Sequence, residues 1–201
     1  MKSIAIILSV VCATWTAAFA EGPFGLWMGI SRTEIEAATG RALREAEEER
    51  FLYDTDVLPR GSSRFGSYQL LIAPGVGLCR VRAVSRPIDA GSMGREVVER
   101  FEDLAEILES LYGPSGHRDE LAEGSRWTGA AQWMMGLASR ERTLSAAWLR
   151  RDGARLSEGM DSVVLQARAW APTRGFLVLE YSFQNLDECR DAVLAAERRI
   201  F

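Results

Sequence analysis

Lysine is almost missing from this chain. Lys2 is the only one in 201 residues, His117 is the only histidine, and cysteine occurs three times. Each shortage excludes a class of chemistry. A Ser-His-Asp arrangement would have to be built around His117, and no G-x-S-x-G elbow accompanies it. Zinc sites made from several His or Cys are ruled out by the same count. No C-x-x-C occurs, which disfavours thioredoxin-type redox catalysis, and no P-loop, G-x-G-x-x-G or EF-hand spacing is found. We therefore expect no metal and no cofactor. A basic surplus is also lacking. Beyond residue 20 there are 23 arginines against 28 carboxylates, a net charge of −5. Duplex binding rests on neutralising phosphates, so nucleic acid is not the expected partner. A GC-rich codon bias toward Arg, Ala and Gly accounts for arginine standing in for lysine.

What is present begins with MKSIAIILSVVCATWTAAFA. Lys2, the apolar stretch Ile4–Val11 and the Ala18-Phe19-Ala20 ending are the three parts of a secretory signal peptide. The run is shorter than the ~20 apolar residues a membrane span needs. Cys12 is preceded by Val10-Val11 where a lipobox would carry small residues. We expect cleavage after Ala20, residence in the periplasm or medium, no stable membrane span, and one α+β domain over 21–201. Hydrophobic residues make up 47% of the chain, enough for a packed core.

Export changes the reading of the two remaining cysteines. Cys79 and Cys189 are an even pair in a compartment that permits disulfides. A bridge would close a 110-residue loop, worth roughly 4–5 kcal/mol in the chain-entropy model. Two buried free thiols are the alternative.

Local signals mark the elements. Ser31-Arg32-Thr33-Glu34 is a capping box, flanked by Ile30 and Ile35, and Gly40 offers a left-handed stop, so a helix is expected over 32–39. The runs FLYDTDVL, SYQLLIA and GLCRVRAV read as strands, the last two joined by an Ala73-Pro74-Gly75 turn. In GLCRVRAV, Cys79, Val81 and Ala83 share one face and Arg80 and Arg82 the other. Residues 95–112 carry the clearest helical stripe, stopped by Gly113-Pro114 and followed by a loop holding His117. RTLSAAWLR, DSVVLQARAWA and GFLVLEYSF are three further strands, and Asn185 opens a last helix with a second N-cap and Glu188 at N3. The sum is an α+β fold of antiparallel meanders, about six strands, with helices packed on one face. The recurring order of strands followed by a helix is compatible with two related halves, 21–115 and 116–201.

The stretch RWTGAAQWMMGLASRER concentrates tryptophan and methionine. Ala130, Trp133, Met134, Leu137 and Ala138 fall on one helical stripe, which indicates core packing. A partner groove is the competing reading.

The opening FGLWMGISRTEIEAATG resembles that of exported bacterial proteins, the small outer-membrane assembly lipoproteins and β-lactamase-inhibitor-like domains. LESLYGPSG with the distant Trp127 and paired strands looks like uncharacterised exported α+β proteins of Gram-negative bacteria. The resemblance implies an α+β fold at the cell envelope. It carries over no functional residue, and the missing lipobox departs from the lipoprotein pattern.

Three functions fit. The first is a non-enzymatic binding or envelope-accessory module, its partner an envelope protein or small ligand, with Arg80, Arg82, Arg150 and Arg168 as an anion-binding outer face; an ordinary solvated sheet surface is the plain alternative. The second is a periplasmic hydrolase using a carboxylate pair drawn from Asp54, Asp56, Asp119 and Glu120. The third is a lipid-binding protein whose cavity is lined by Trp133, Met134 and Met135.

Overall fold

The computed structural model describes residues 22–47 and 49–199. The expected signal peptide and its cleavage site lie outside the described residues. In chain order the elements are α1 (Arg32–Thr39), β1 (Arg44–Glu45), β2 (Leu52–Thr55), β3 (Phe65–Ala73), β4 (Gly77–Ser85), β5 (Ile88–Asp89), α2 (Arg95–Tyr112), β6 (Gly116–Leu121), α3 (Trp133–Ala138), β7 (Arg142–Leu149), β8 (Met160–Ala171), β9 (Arg174–Phe183) and α4 (Leu186–Arg198). Short 3-10 turns precede α1 and α3 and follow β7.

The strands form a single antiparallel sheet in the order β1-β2-β3-β4-β9-β8-β7-β6, with β5 added to the far end of β9. Two meanders, β1–β4 and β6–β9, therefore meet at a seam where β4 lies against β9, Arg82 opposite Glu180. All six expected strands are present. The three others are two residue pairs and β6, whose sequence GHRDEL lacks apolar alternation and reads as a loop. His117 consequently sits on a strand, not in the expected loop, because pairing with β7 satisfies the backbone of this charged segment. Its exposed charges also blunt the sheet edge against pairing with another chain.

One face of the sheet carries the main core. Val97, Phe101, Leu104 and Leu108 of α2 pack on Leu165, Leu179 and Tyr181 of β8 and β9, all buried. Fully burying one such side chain contributes about 1.5–3 kcal/mol. Trp148 of β7 joins them and donates its indole N–H to the Gly113 carbonyl at 2.8 Å, which satisfies an end of α2. The capping box of α1 is formed as the residues imply, with Glu34 accepting from the Ser31 N–H at 2.8 Å and Gly40 left-handed at φ 66°. The Trp-Met stretch is core: Met134 and Leu137 are buried, and Trp133 lies so close over Gly94 that a Cβ there would fall 2.2 Å from the ring. Gly94 is also the N-cap of α2 at φ 69°, so only glycine fits both demands.

The helices do not all share this face. α4 covers the other side of β3 and β4. There Leu71, Ala73 and Cys79, which alternate with the core-facing Leu70, Ile72 and Leu78, make a second cluster with Leu52 and Cys189. Cys79 and Cys189 stand at disulfide distance, Cα atoms 6.4 Å apart and both fully buried. The expectation of helices on one face is corrected on this point, and the reason is the continuous apolar run Leu70–Ala73, which needs cover on both sides. Two meanders related by duplication across an antiparallel seam would place their closing helices on one face. α2 and α4 lie on opposite faces, so the halves are not related in that way. Asn185 differs too: its side chain makes no cap but donates to the Leu78 carbonyl at 3.1 Å, tying α4 to β4. Among the described residues no helix is long and apolar enough to cross a membrane.

Candidate functional site

α4 packs on β3 and β4, and among the described residues no helix covers the same face over β9 and β8. Register fixes what it displays. Across the seam, Asp54, Gln69, Arg82 and Glu180 stand in one row on four adjacent strands. They form a hydrogen-bonded ladder: Gln69 Nε2 donates to Asp54 Oδ1 at 3.2 Å, Arg82 to Gln69 Oε1 at 3.4 Å, and Arg82 Nε and Nη2 to Glu180 Oε2 at 2.9 and 2.8 Å. Arg82 is thereby committed to its neighbours. Beyond this row lies an apolar floor, Val84 opposite Val178 and Val164 beside them, ending at Phe176. Trp170, exposed, stacks on Phe176 with ring centroids 4.4 Å apart. The floor and its rims enclose a trough of about 610 Å³.

Two cations without a carboxylate partner among the described residues edge this trough. Arg168 on β8 faces Phe176 and donates one Nη2 bond to Gln166 Oε1 at 2.6 Å. Arg140 comes from the turn after α3 and adopts φ 63°, a left-handed conformation that a residue with a side chain takes at a cost. The turn is pinned by its backbone: Arg140 N–H donates to Leu137 O at 3.2 Å and Glu141 N–H to Gly136 O at 2.9 Å. A smaller cavity of about 110 Å³ continues from the trough, shares Arg140, Arg168 and Gln166, and adds Arg142. Arg142 is already paired with Asp119 and lies over the Trp133 ring at 5.6 Å, while its Nε is buried without a partner.

The four arginines expected on one outer face are divided by the structure. Arg82 and Arg168 line the trough. Arg80 is one row away toward α4, half-buried; burial lowers its pKa, Arg82 and Arg190 add to that, and Glu180 and Glu49 oppose it. Arg150 is elsewhere. It lies in the turn after β7 and clips residues 156–160, donating to the carbonyls of Met160 at 2.6 Å, Leu156 at 3.3 Å and Ser157 at 2.5 Å. This removes Arg150 from any anion-binding face. Arg140 was not anticipated, because a turn residue's direction depends on backbone angles that spacing does not reveal, and Arg142, the first residue of β7, was read only as part of a strand. The available hint was an arginine at the helix end where glycine usually stands.

The carboxylates are spread out. Asp54 and Asp56 are at the β2 end and Asp119 and Glu120 on β6, six strand spacings or about 29 Å across the sheet. No acid–base pair can span that distance. Asp54 and Asp56 do line one cavity of about 530 Å³ with Arg41 and Arg44. Asp56 is exposed and Asp54 accepts a hydrogen bond from Gln69, so neither is an enclosed, uncommitted carboxyl of the kind an acid–base pair requires. The displaced carboxyls are Glu34, Glu36 and Glu141, and all move down, through hydrogen bonds from Ser31, Arg32 and Ser125 respectively. Trp133 and Met134 are packed into the core, which leaves them no ligand cavity to line.

Compared with known families, curated proteins and solved structures, the chain matches none.

Proposed function

We propose that this protein is an exported, non-enzymatic binding module of the bacterial envelope, and that the uncovered sheet face over β8 and β9 is its recognition surface for an anionic partner. The observation that carries this reading is the pair Arg140 and Arg168, converging on an apolar trough with no carboxylate partner among the described residues, in a chain whose net charge is −4. Exposed cations over half-buried valines and an aromatic stack form a surface that a partner can desolvate favourably. Export is supported by the N-terminal segment and by the buried cysteine pair at disulfide distance. The envelope setting agrees with the resemblance of the opening segment to exported proteins.

The test is in-cell photocrosslinking of the exported protein. A photoreactive residue replacing Val178 in the trough should give a reproducible adduct that disappears in Arg140→Ala/Arg168→Ala, while one replacing the exposed Ile107 on α2 should not. Equal adducts from both positions would overturn the open-face reading. Mass spectrometry of the periplasmic fraction should find Glu21 as the first residue; a chain that keeps residues 1–20 would overturn export.

A further inference from the structure

The trough has more specific chemistry than a charged patch. Resting on the reading that this face is the recognition surface, we propose that it binds a small anionic amphiphile: one carboxylate or phosphate headgroup held between Arg140 and Arg168, and an apolar body about 10 Å long lying over Val178 and Val84.

The headgroup end is set by donors. Gln166 Oε1 accepts from one Nη2 of Arg168 and so fixes the plane of that guanidinium, leaving the remaining N–H groups of the fork unused. Arg140 adds a second fork at the same cavity, carried by the pinned turn after α3. Two guanidinium planes on one small cavity suit an oxyanion, which accepts several charge-assisted bonds at once. The other two arginines of this region are occupied, Arg82 by Glu180 and Arg142 by Asp119, so the anion has one place to sit.

The apolar body follows from the floor. From Arg168 on β8 the surface crosses β9 at Val178 and reaches β4 at Val84, two strand spacings or about 10 Å. The Arg82–Glu180 pair bounds this strip on one side, and Phe176 with Trp170 stacked on it bounds the other. A compact hydrated anion would leave the valines wet. A long acyl chain would overrun the floor, whose volume of about 610 Å³ falls in the range of small-ligand sites. Trp170 beside the strip supplies a spectroscopic reporter.

The experiment titrates the protein, purified from an exporting host, with octanoate, octyl phosphate, inorganic phosphate and the uncharged octyl glucoside, following tryptophan fluorescence and calorimetry. Octanoate or octyl phosphate should bind at least tenfold more tightly than either inorganic phosphate or octyl glucoside, and which of the two is tighter identifies a carboxylate or a phosphate head. Arg140→Ala and Arg168→Gln should each weaken that binding about tenfold, Val178→Asp should abolish it with the circular dichroism spectrum retained, and Arg118→Ala on β6 should leave it unchanged. Binding of inorganic phosphate as tight as octyl phosphate overturns the apolar half of the proposal. Binding of octyl glucoside as tight as octanoate overturns the anionic half. If no probe binds but the Val178 crosslink captures a protein, the amphiphile is overturned while the open-face reading stands; if neither is seen, both fall.

Discussion

The two halves of one sheet face differ in what lies over them. Over β3 and β4 the side chains are Leu71, Ala73 and Cys79, buried under α4 and stapled through Cys189. Over β9 and β8 they are Val178, Phe176, Val164, Gln166 and Arg168, half-buried or exposed, with no helix above them among the described residues. Composition explains the division. Small and fully apolar residues let a helix approach closely, whereas a valine floor interrupted by Gln166, Arg168 and Glu180 would bury polar groups at a cost if a helix sat on it. The same face is thus structural on one side of the Arg82 ladder and available on the other.

The largest effects belong to the core beneath both halves. Phe101 is fully buried between α2 and the sheet, so Phe101→Ala should lower stability by about 3–5 kcal/mol in denaturant unfolding, with the trough lost only through unfolding. A loss under 1 kcal/mol would mean that α2 is not the main cover.

Next comes the covered half. Replacing Cys79 and Cys189 together by alanine should cost about 2–5 kcal/mol, while ligand binding in the trough below the unfolding transition stays intact. Loss of binding in a folded Cys79→Ala/Cys189→Ala protein would show that α4 and the trough are coupled, and would break the division drawn above.

How much of this was readable beforehand depends on the element. α1 and α2 were marked by local chemistry, the Ser31-Glu34 box with Gly40 and the long stripe with Gly113, and their bounds agree with the structure. Alternation in β4 separated Val81 and Ala83 from Arg80 and Arg82, but Cys79, expected beside Val81, turns to the α4 side at the irregularity between β3 and β4. The run Leu70–Ala73 carried the signal for a helix on the second face, but a short apolar run has no periodicity to say so. β6 was hidden because its pairing uses backbone groups under charged side chains. At the site, Arg82 and Arg168 were legible from period two, whereas Arg140 depends on a positive φ and Arg150 on a turn folding back over 156–160.

A smaller, conditional effect comes from the tyrosines under the sheet. Burial pushes the Tyr181 phenol far above its ordinary value, with the neighbouring Tyr112 adding to the shift; burial also raises Tyr112, partly offset by its interaction with Tyr181. The folded protein therefore holds Tyr181 neutral where the unfolded chain releases its proton. This contribution is complete below the ordinary tyrosine pKa of about 10 and is lost as pH rises above it, by about 1.4 kcal/mol per pH unit for one group. Denaturant midpoints at pH 8, 10 and 11 should fall across the last step, and Tyr181→Phe should flatten that fall. An unchanged slope in Tyr181→Phe would assign the alkaline loss elsewhere.

The smallest change in stability sharpens the contrast most. Glu180→Gln removes the carboxylate that occupies Arg82, a partly exposed pair whose loss should cost about 1 kcal/mol or less. It also turns a committed guanidinium into a third uncommitted one at the edge of the trough. Octanoate should then bind several-fold more tightly than in the unaltered protein, and Arg82→Ala on the Glu180→Gln background should return affinity to its starting value. If Glu180→Gln leaves affinity unchanged, Arg82 does not reach the headgroup, and recognition is confined to Arg140 and Arg168. If affinity falls, the ladder itself shapes the floor, and the boundary between the structural and the available half lies one strand nearer β8.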